Sequence, residues 1–409
     1  MSRSVLDSIA LGYQPFWNPG RQLAAVHLRV LSLQPEGLDA QHLMQLLGQD
    51  WPAAAPTLLL SIESAGLRHQ VLEDEPAHNT WLVCPAAEFD QAETRTRLAA
   101  ALQRGHRLLR EVELERLQAG WINPLDCRSL VHLDAPGSLA LLQDLHRGRF
   151  LPVLMPGQAY AGVANHQLAV HCLDTAGAWG LLGWPEEDVL KARGTRPLAC
   201  DIGVIDQIVQ AVQEETSLEH LERLVRQDPV LVYRLLLLVN SAAFNSRREI
   251  GSIRHALMML GFTALTDWLA EQRRSGEREA DLHPVRYAMV MRSRLAQHLL
   301  ASGSDDDLRA EVYLSALFVQ LDRLLHRPLP ELLGRLPLSG RVLDAALRHA
   351  GPYHPLLDLA QAQGDPDRLA ELPRLCEEHG FALEDANRAL IRMLATSRDH
   401  TGKRSQRLL

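Results

Sequence analysis

The densest pattern of apolar residues lies in the middle of the chain, where two helices are predicted with a short break between them. Asp228 has a side chain that caps helices, and Pro229 suits the first helical position because no hydrogen bond is lost there. Residues 230–239 are apolar on nearly every face, which predicts a helix enclosed by other helices. A second helix is predicted to begin after Ser252 and to end at Gly261.

Short apolar runs alternate with helical stretches over residues 1–193, a pattern typical of repeated β/α units. Eight strands are predicted, at residues 11–16, 23–31, 57–62, 81–84, 106–112, 129–133, 150–155 and 168–172. Helices are predicted between several of them, at residues 40–47, 90–103, 114–119 and 138–147. This order favours an α/β domain folded as a TIM-like (β/α)8 barrel.

After residue 203 the strand signals end, and an all-α domain is predicted. Its helices are expected at residues 204–215, 218–225, 229–240, 252–260, 265–272, 284–302, 307–325, 329–333, 339–350, 356–362, 368–379 and 384–396. The segment RGTRP between the two halves contains Gly and Pro, which interrupt regular structure. We therefore predict a barrel at residues 1–193, a helical domain at 194–400 and a disordered tail at 401–409.

Composition adds limits on function. Apolar residues make up 46% and charged residues 22% of the chain, which are ordinary globular values, and the net charge of -8 argues against a nucleic-acid surface over the whole protein. The five cysteines are scattered, without a C-x-x-C pair, and indicate a reducing compartment. They are Cys84, Cys127, Cys172, Cys200 and Cys376. With no secretion signal or apolar span of membrane length, we expect a cytoplasmic protein.

The two central helices carry the motif D-P-x-L-x-x-R-L-L, then V-N-S-A-x-F, then S-I-x-x-A-L-x-x-L-G. This order and spacing resemble the HDOD domain, an all-helical relative of the HD metal-dependent phosphohydrolases that occurs in bacterial signalling proteins. Active HD enzymes carry an adjacent His-Asp pair, which this half lacks, and the resemblance implies a domain without metal. Asn240 of the motif has two interpretations, an amide that joins helix ends or a ligand contact, and the first is favoured.

The histidines of this half are His220, His255, His283, His298, His326, His349, His354 and His379. Their spacing does not build a metal site, so each is interpreted as a surface or helix-end residue.

The barrel half opens with YQPFWNPGRQLAAVHLRV and closes with GAWGLLGWPEED. Both segments resemble the EAL domain, the barrel that hydrolyses cyclic di-GMP. Residues 313–357 resemble the segment found in proteins that fuse an EAL domain to an HDOD domain. The resemblance implies an EAL-HDOD signalling protein.

The metal ligands and polar residues that the EAL family uses are largely replaced here. The family's positions fall on Val26 or His27, Glu63, Cys84 or Pro85, Arg110 with Glu111, His132 with Asp134, Met155 or Pro156, and Ala178 or Trp179. Divalent cations need several hard oxygen ligands at once. We therefore expect a barrel that does not hydrolyse cyclic di-GMP, and we assign no catalytic, cofactor-binding or metal residue.

Two alternatives stay open. Glu63, Glu111 and Asp134 could form a rearranged metal set, and four tryptophans, Trp51, Trp81, Trp179 and Trp184, could stack on guanine, although packing is their commoner role. The helical half could instead bind nucleic acid through its arginines. These are Arg247, Arg248, Arg273, Arg274, Arg286, Arg292 and Arg294. They alternate with glutamates, as on a solvated helix face.

Our interpretation is a catalytically inactive signalling protein of cyclic di-GMP networks that control motility and biofilm formation. It is expected to act through its HDOD domain on protein partners such as a sensor kinase or a diguanylate cyclase, without a cofactor, a membrane or nucleic acid. The alternative function is a cyclic di-GMP sensor or a residual phosphodiesterase.

Overall fold

The computed structural model describes residues 4–34, 39–51, 55–118, 125–149, 151, 154–241, 251–301 and 303–397. The chain divides into two compact units. The barrel unit comprises Met1–Ala192 together with Ala362–Leu409, and the helical unit comprises Arg193–Gln361. The described part of the chain contains no helix that is long and apolar enough to cross a bilayer.

Eight strands close into a barrel in the order of the sequence. They are β1 (Ile9–Trp17), β2 (Leu23–Ser32), β3 (Thr57–Ile62), β4 (Thr80–Pro85), β5 (Arg107–Glu113), β6 (Arg128–His132), β7 (Ala159–Ala161) and β8 (Gly180–Leu182). The prediction of a closed eight-stranded barrel is confirmed, with one difference from an all-parallel TIM barrel. Strand β1 runs antiparallel to both β2 and β8. Only residues 18–22 join β1 to β2, and a parallel pair needs a crossover of a dozen residues or more.

Helices connect most of the parallel strands. They are α1 (Ala40–Asp50), α2 (Ala65–Glu73), α3 (Ala86–Asp90), α4 (Ala92–Gln103), α5 (Leu114–Gln118), α6 (Ala135–His146), α7 (His166–Val170) and α8 (Glu186–Ala192). Several begin at a polar cap, as when Ser64 accepts a hydrogen bond from the Leu67 N–H and starts α2. The sequence pattern missed α2, whose apolar face is narrow.

The last two predicted strands are wrong. Residues 168–172 lie in α7 and in the π-helical turn His171–Thr175, which follow the cap that Asn165 provides to the Leu168 N–H. Residues 150–155 contain no strand among the positions described, and residues 150, 152 and 153 lie outside them. The true β7 and β8 have three residues each, which is too short to show a period of two.

The helical unit is built from α9 (Ile202–Gln213), α10 (Leu218–Val225), α11 (Pro229–Val239), α12 (Ile253–Arg274), α13 (Leu282–His298), α14 (Asp306–Phe318), α15 (Leu321–Leu325), α16 (Leu329–Leu333), α17 (Gly340–Arg348) and most of α18 (His354–Gly364). The predicted caps of α11 and α12 are confirmed, at Asp228 and Ser252. The predicted helix end at Gly261 is also confirmed. Gly261 adopts the non-helical angles φ 71° and ψ 165°, and a second helical segment follows it within the range of α12.

The predicted helical domain of residues 194–400 needs a correction at its C-terminal side. Helices α19 (Leu372–Glu378) and α20 (Leu383–Ala395) belong to the barrel unit. The side chain of Asn387 on α20 is fully buried and binds the backbone around β1. Its Oδ1 accepts from the Leu11 N–H at 2.9 Å, and its Nδ2 donates to the carbonyls of Leu6 and Ile9, each at 2.8 Å. An amphipathic pattern predicts a helix, but it does not identify the surface that the helix covers.

We expect Asn387→Leu to destabilise the barrel unit by about 3 kcal/mol, because three buried backbone groups would lose their partner. Urea unfolding followed by tryptophan fluorescence measures the change. Arg392→Ala, at an exposed position of the same helix, is the control and should alter stability by less than about 0.5 kcal/mol. Equal effects of the two substitutions would show that α20 does not support the barrel.

Candidate functional site

Alternation along the strands decides which side chains face the barrel interior. A core cluster fills that interior. Its members are Phe16, Ala24, Ala25, Leu59, Trp81, Val83, Leu109, Leu130, Ala159, Ala161 and Leu182, with Trp179 packed against them. By the same alternation, His27, Ser61, Glu111 and His132 face inward, nearer the carboxyl ends of their parallel strands. This end of the barrel, which we call the mouth, is where parallel barrels carry their sites.

Two polar pairs occupy the mouth. The Nε2 of His27 and the hydroxyl of Ser61 are 2.6 Å apart, on adjacent strands β2 and β3. The Nε2 of His132 lies 2.7 Å from Oε1 of Glu111, on adjacent strands β6 and β5. The inward carboxylate of β5 is therefore held by an imidazole.

The charges of the mouth compensate one another. Burial works against the ionised Glu111, but the close contact and charge of His132, with the charges of His27 and Arg29, lower its pKa. Burial also opposes the charged imidazole of His132, yet Glu111 and then Glu113 raise its pKa. His27 behaves in the opposite way, because burial lowers its pKa to about 4 despite the attraction of Glu111. At neutral pH His27 is therefore neutral, while Glu111 and His132 each favour the charged form of the other.

This arrangement does not fit the divalent cations that an EAL enzyme requires. Glu111 is engaged by His132, and Asp134 caps α6 by accepting from the Gly137 N–H at 2.8 Å. Glu63 has an exposed side chain. Within the described ranges, no three His, Cys, Asp or Glu side chains are grouped closely enough to hold a metal ion. The structure does not assemble the set of Glu63, Glu111 and Asp134.

The structure also shows which of two neighbouring candidate residues on a strand faces the barrel interior. His27, and not Val26, faces the interior of β2, and Val26 is buried on the outer side. Cys84 and Arg110 likewise belong to the outer layer, where Arg110 donates to the hydroxyl of Ser129. The sequence analysis placed Arg110 in the mouth, which is wrong because it alternates with the inward Glu111.

The basic residue that acts on the mouth is Arg29, which the sequence analysis missed. It lies two positions after His27 on β2 and therefore on the same face of the strand. Its charge acts on His27, Glu111 and His132. Alternate positions along β2, counted from the core residue Ala25, would have predicted that Arg29 lies on the inward face.

The tryptophans have packing contacts. Trp81 and Trp179 lie in the interior core, with ring centroids 5.7 Å apart, and Trp179 contacts Phe16 at 4.7 Å. Trp81 stands near the start of β4, at the end of the barrel opposite the mouth. Trp51 donates its Nε1–H to the Pro56 carbonyl at 3.0 Å, and Trp184 packs against a second core cluster. None of these contacts is typical of an open stacking platform.

Motif residues of the helical unit make structural contacts. Asn240 follows α11, and its Nδ2 donates to the Leu236 carbonyl at 2.8 Å, which fits the helix-end interpretation. Arg273 pairs with Asp206 at 2.7 Å, and Arg286 lies in a buried acidic network. Arg247 and Arg248 lie outside the described residues. Arg273 and Arg286, which pair with carboxylates of the same unit, thus serve the fold.

Three large apolar side chains of α12 are exposed. Met258, Met259 and Phe262 have exposed fractions of 58%, 47% and 49%. They stand on either side of the break at Gly261, whose φ of 71° favours glycine. We call these three residues the α12 patch. Clustered exposed apolar side chains mark interaction surfaces. The sequence analysis did not single them out.

Comparison with known proteins identifies the helical unit. The family model of the HDOD domain matches residues 200–325. Residues 200–325 form an HDOD domain. The HDOD domain begins close to the start of the helical unit and ends in α15, so α16 to α18 lie beyond it.

Two curated proteins are similar to the chain. The uncharacterized protein YuxH of Bacillus subtilis is 28% identical over 152 residues, which are 36% of this chain and 37% of YuxH. The cyclic di-GMP phosphodiesterase CdgJ of Vibrio cholerae is 30% identical over 193 residues, which are 46% of this chain and 44% of CdgJ. The matches thus span less than half of either relative.

Among solved structures, the MmoQ response regulator of Methylococcus capsulatus is similar at 21% identity and a TM-score of 0.39. This match covers 47% of the present chain and 98% of the MmoQ chain.

The buried His27 makes the free energy of unfolding of the barrel depend on pH. Its folded pKa of about 4 lies below the ordinary 6.5, so the unfolded chain takes up a proton first as the pH falls. The native state should therefore lose about 2 kcal/mol between pH 7 and pH 5 through this one group. His132 acts in the opposite direction because its pKa is raised: its contribution to stability is present below pH 6.5 and is lost as the pH rises through the folded pKa. Glu111 acts in the same direction as His27, because its lowered pKa gives a contribution that is lost as the pH falls.

We expect His27→Gln to remove most of that loss, since Gln is neutral at both pH values and keeps a hydrogen-bonding group near Ser61. Urea unfolding at pH 7 and pH 5 measures the difference between variant and wild type. His78→Gln, at an exposed position, should keep the wild-type difference. An unchanged pH dependence in His27→Gln would show that this histidine is not buried in the neutral form.

Proposed function

We propose that the protein is a regulator of cyclic di-GMP-linked signalling that works by binding other proteins and does not hydrolyse the nucleotide. The HDOD domain and the similarity to CdgJ support the signalling link. The contact between Glu111 and His132 in the barrel mouth is the main support for the proposal that the barrel does not hydrolyse the nucleotide. A metal-assisted phosphodiesterase needs inward carboxylates such as Glu111 as ligands of its cations.

The similarity to CdgJ, a phosphodiesterase by name, also favours a second candidate, a residual phosphodiesterase. The two functions differ in what the mouth does with a cation. In the first, His132 supplies the positive charge that balances Glu111. In the second, Mg²⁺ or Mn²⁺ must displace the imidazole and recruit further ligands from the carboxylates nearby.

We expect the purified full chain to release no linear dinucleotide from cyclic di-GMP with either Mg²⁺ or Mn²⁺. His132→Gln, which frees Glu111 from its partner, should also be inactive, because one carboxylate cannot hold a catalytic metal. Chromatography of the nucleotides measures the reaction, and an active EAL phosphodiesterase serves as the positive control. Turnover that depends on Mg²⁺ and is lost in Glu111→Gln would establish the phosphodiesterase instead.

The α12 patch provides the surface for the proposed protein contact. Its two methionines adapt to varied partner surfaces, and Phe262 supplies a rigid aromatic anchor. The patch lies within the matched HDOD domain. We propose a partner from the same signalling network, such as a sensor kinase or a diguanylate cyclase, which the HDOD domain would influence in motility and biofilm control.

We expect the triple variant Met258→Ser, Met259→Ser and Phe262→Ser to weaken binding to that partner at least about tenfold, since apolar anchors dominate interface energies. The full chain, tagged in its native host and cross-linked, would identify the partner by mass spectrometry. The matched control is Leu139→Ser, which removes a 56% exposed leucine from α6 of the barrel unit. Cross-links that avoid α12, with unchanged capture by the triple variant, would place the interface elsewhere.

A further inference from the structure

Acidic side chains follow the α12 patch on the C-terminal side. Asp267 and Glu271 are exposed on the helical segment that begins after Gly261, and their spacing of four positions places them on one face of it. Within the part of the chain that the structure describes, neither carboxylate has a hydrogen-bonded or ion-pair partner. Arg274, the last residue of α12, offsets one of the two charges at most. This side of the patch is therefore acidic.

The N-terminal side of the patch is acidic as well. Arg254 stands one turn before the patch, and its Nε donates to Oε2 of Glu222 at 3.0 Å. The hydrogen bond and charge of Glu222, followed by the charges of Asp306 and Glu219, raise the pKa of Arg254. Asp306 and Glu219 are exposed, and among the described residues neither forms an ion pair of its own. Glu222 already compensates Arg254, so Asp306 and Glu219 add negative charge beyond it.

The sign of these charges limits the class of partner. Nucleic acids and anionic lipid surfaces would be repelled by the unpaired carboxylates on both sides of the patch. Lysine and arginine side chains would be attracted, and such complementarity gives specificity at the rim of an interface. The exposed apolar side chains between the two acidic sides require apolar contacts. The surface thus fits a segment that is apolar in its centre and basic toward both ends.

The backbone of α12 limits the shape of that segment. An extended peptide commonly binds by adding to an exposed sheet edge, whereas a helix bonds its own backbone groups and can lay an apolar face on another helix. From Arg254 to Glu271 the surface extends about 25 Å, roughly the length of a five-turn helix. We propose that the α12 patch binds a basic amphipathic helix of the partner protein. This inference rests on the proposed function, because it names the chemistry of the partner at the same patch.

Three synthetic peptides of about 18 residues test charge and pattern separately. The first carries leucines at helical spacing in its centre and lysines toward both ends. In the second, glutamate replaces every lysine, and the third has the composition of the first in an order without an apolar face. Fluorescence anisotropy with the full chain measures binding. We expect saturable binding of the first peptide and at least about tenfold weaker binding of the other two, with no binding of vesicles of anionic phospholipid.

Variants of the full chain locate the bound peptide. Asp267→Asn with Glu271→Gln keeps the shape of both side chains and should weaken binding of the basic peptide about fivefold at low salt and less at high salt. The triple serine variant of the α12 patch should weaken it about tenfold or more. Glu75→Gln with Glu377→Gln changes the net charge equally at exposed positions of the barrel unit, and this control should bind like the wild type.

The inference is wrong if no peptide binds, if the acidic or the reordered peptide or the vesicles bind as well as the basic peptide, or if the Asp267 and Glu271 variant behaves like its control. Failure of the proposed function is a separate result. A native partner cross-linked to α12 through an acidic or extended segment would overturn this inference and leave the proposed protein contact in place.

Discussion

The buried carboxylate of Asp228 is the constraint around which the helical unit is arranged. Its side chain is fully buried, and burial of a lone carboxylate is strongly unfavourable. Oδ1 accepts from the N–H groups of Val230 and Leu231 at the start of α11, and Oδ2 accepts from the Asp201 N–H at 2.6 Å and from Arg286 at 3.3 Å. The charge of Asp228 is therefore stable only if three parts of the unit meet at this point. They are the start of α11, Asp201 at the start of α9, and Arg286 on α13.

Arg286 extends this constraint to the segment that leaves the barrel. It donates to the Ala199 carbonyl at 2.8 Å and to Glu277 at 2.9 Å, and Glu277 also binds Arg193 at 2.6 Å. Burial opposes the charge of Arg286, but Asp228, Asp201 and Glu277 raise its pKa, so the guanidinium stays ionised. Removal of one member would leave a buried charge without its partner, which is far more destabilising than the loss of an exposed ion pair.

Local signals of the sequence predicted most of the fold, and they failed where the decisive information was not local. The Asp-Pro step at Asp228 and the cap at Ser252 are short-range features, and both helices begin as expected. Gly261 also ends a helical segment as the local rule predicts, at φ 71°, and a second segment of α12 follows it. The partner of Asn387 is some 380 positions away in sequence, so nothing near α20 could show that it closes the barrel unit. In the mouth, only the strand register shows that His27 faces inward and Arg110 outward.

The electrostatics of the mouth also differ from those of a site built for divalent cations. Carboxylates that converge on a metal site repel one another when the metal is absent, and their burial adds to the penalty. Here Glu111 is paired with His132 at 2.7 Å, and the nearby His27 is neutral because burial lowers its pKa. Glu111 and His132 thus stabilise each other's charged forms within the barrel.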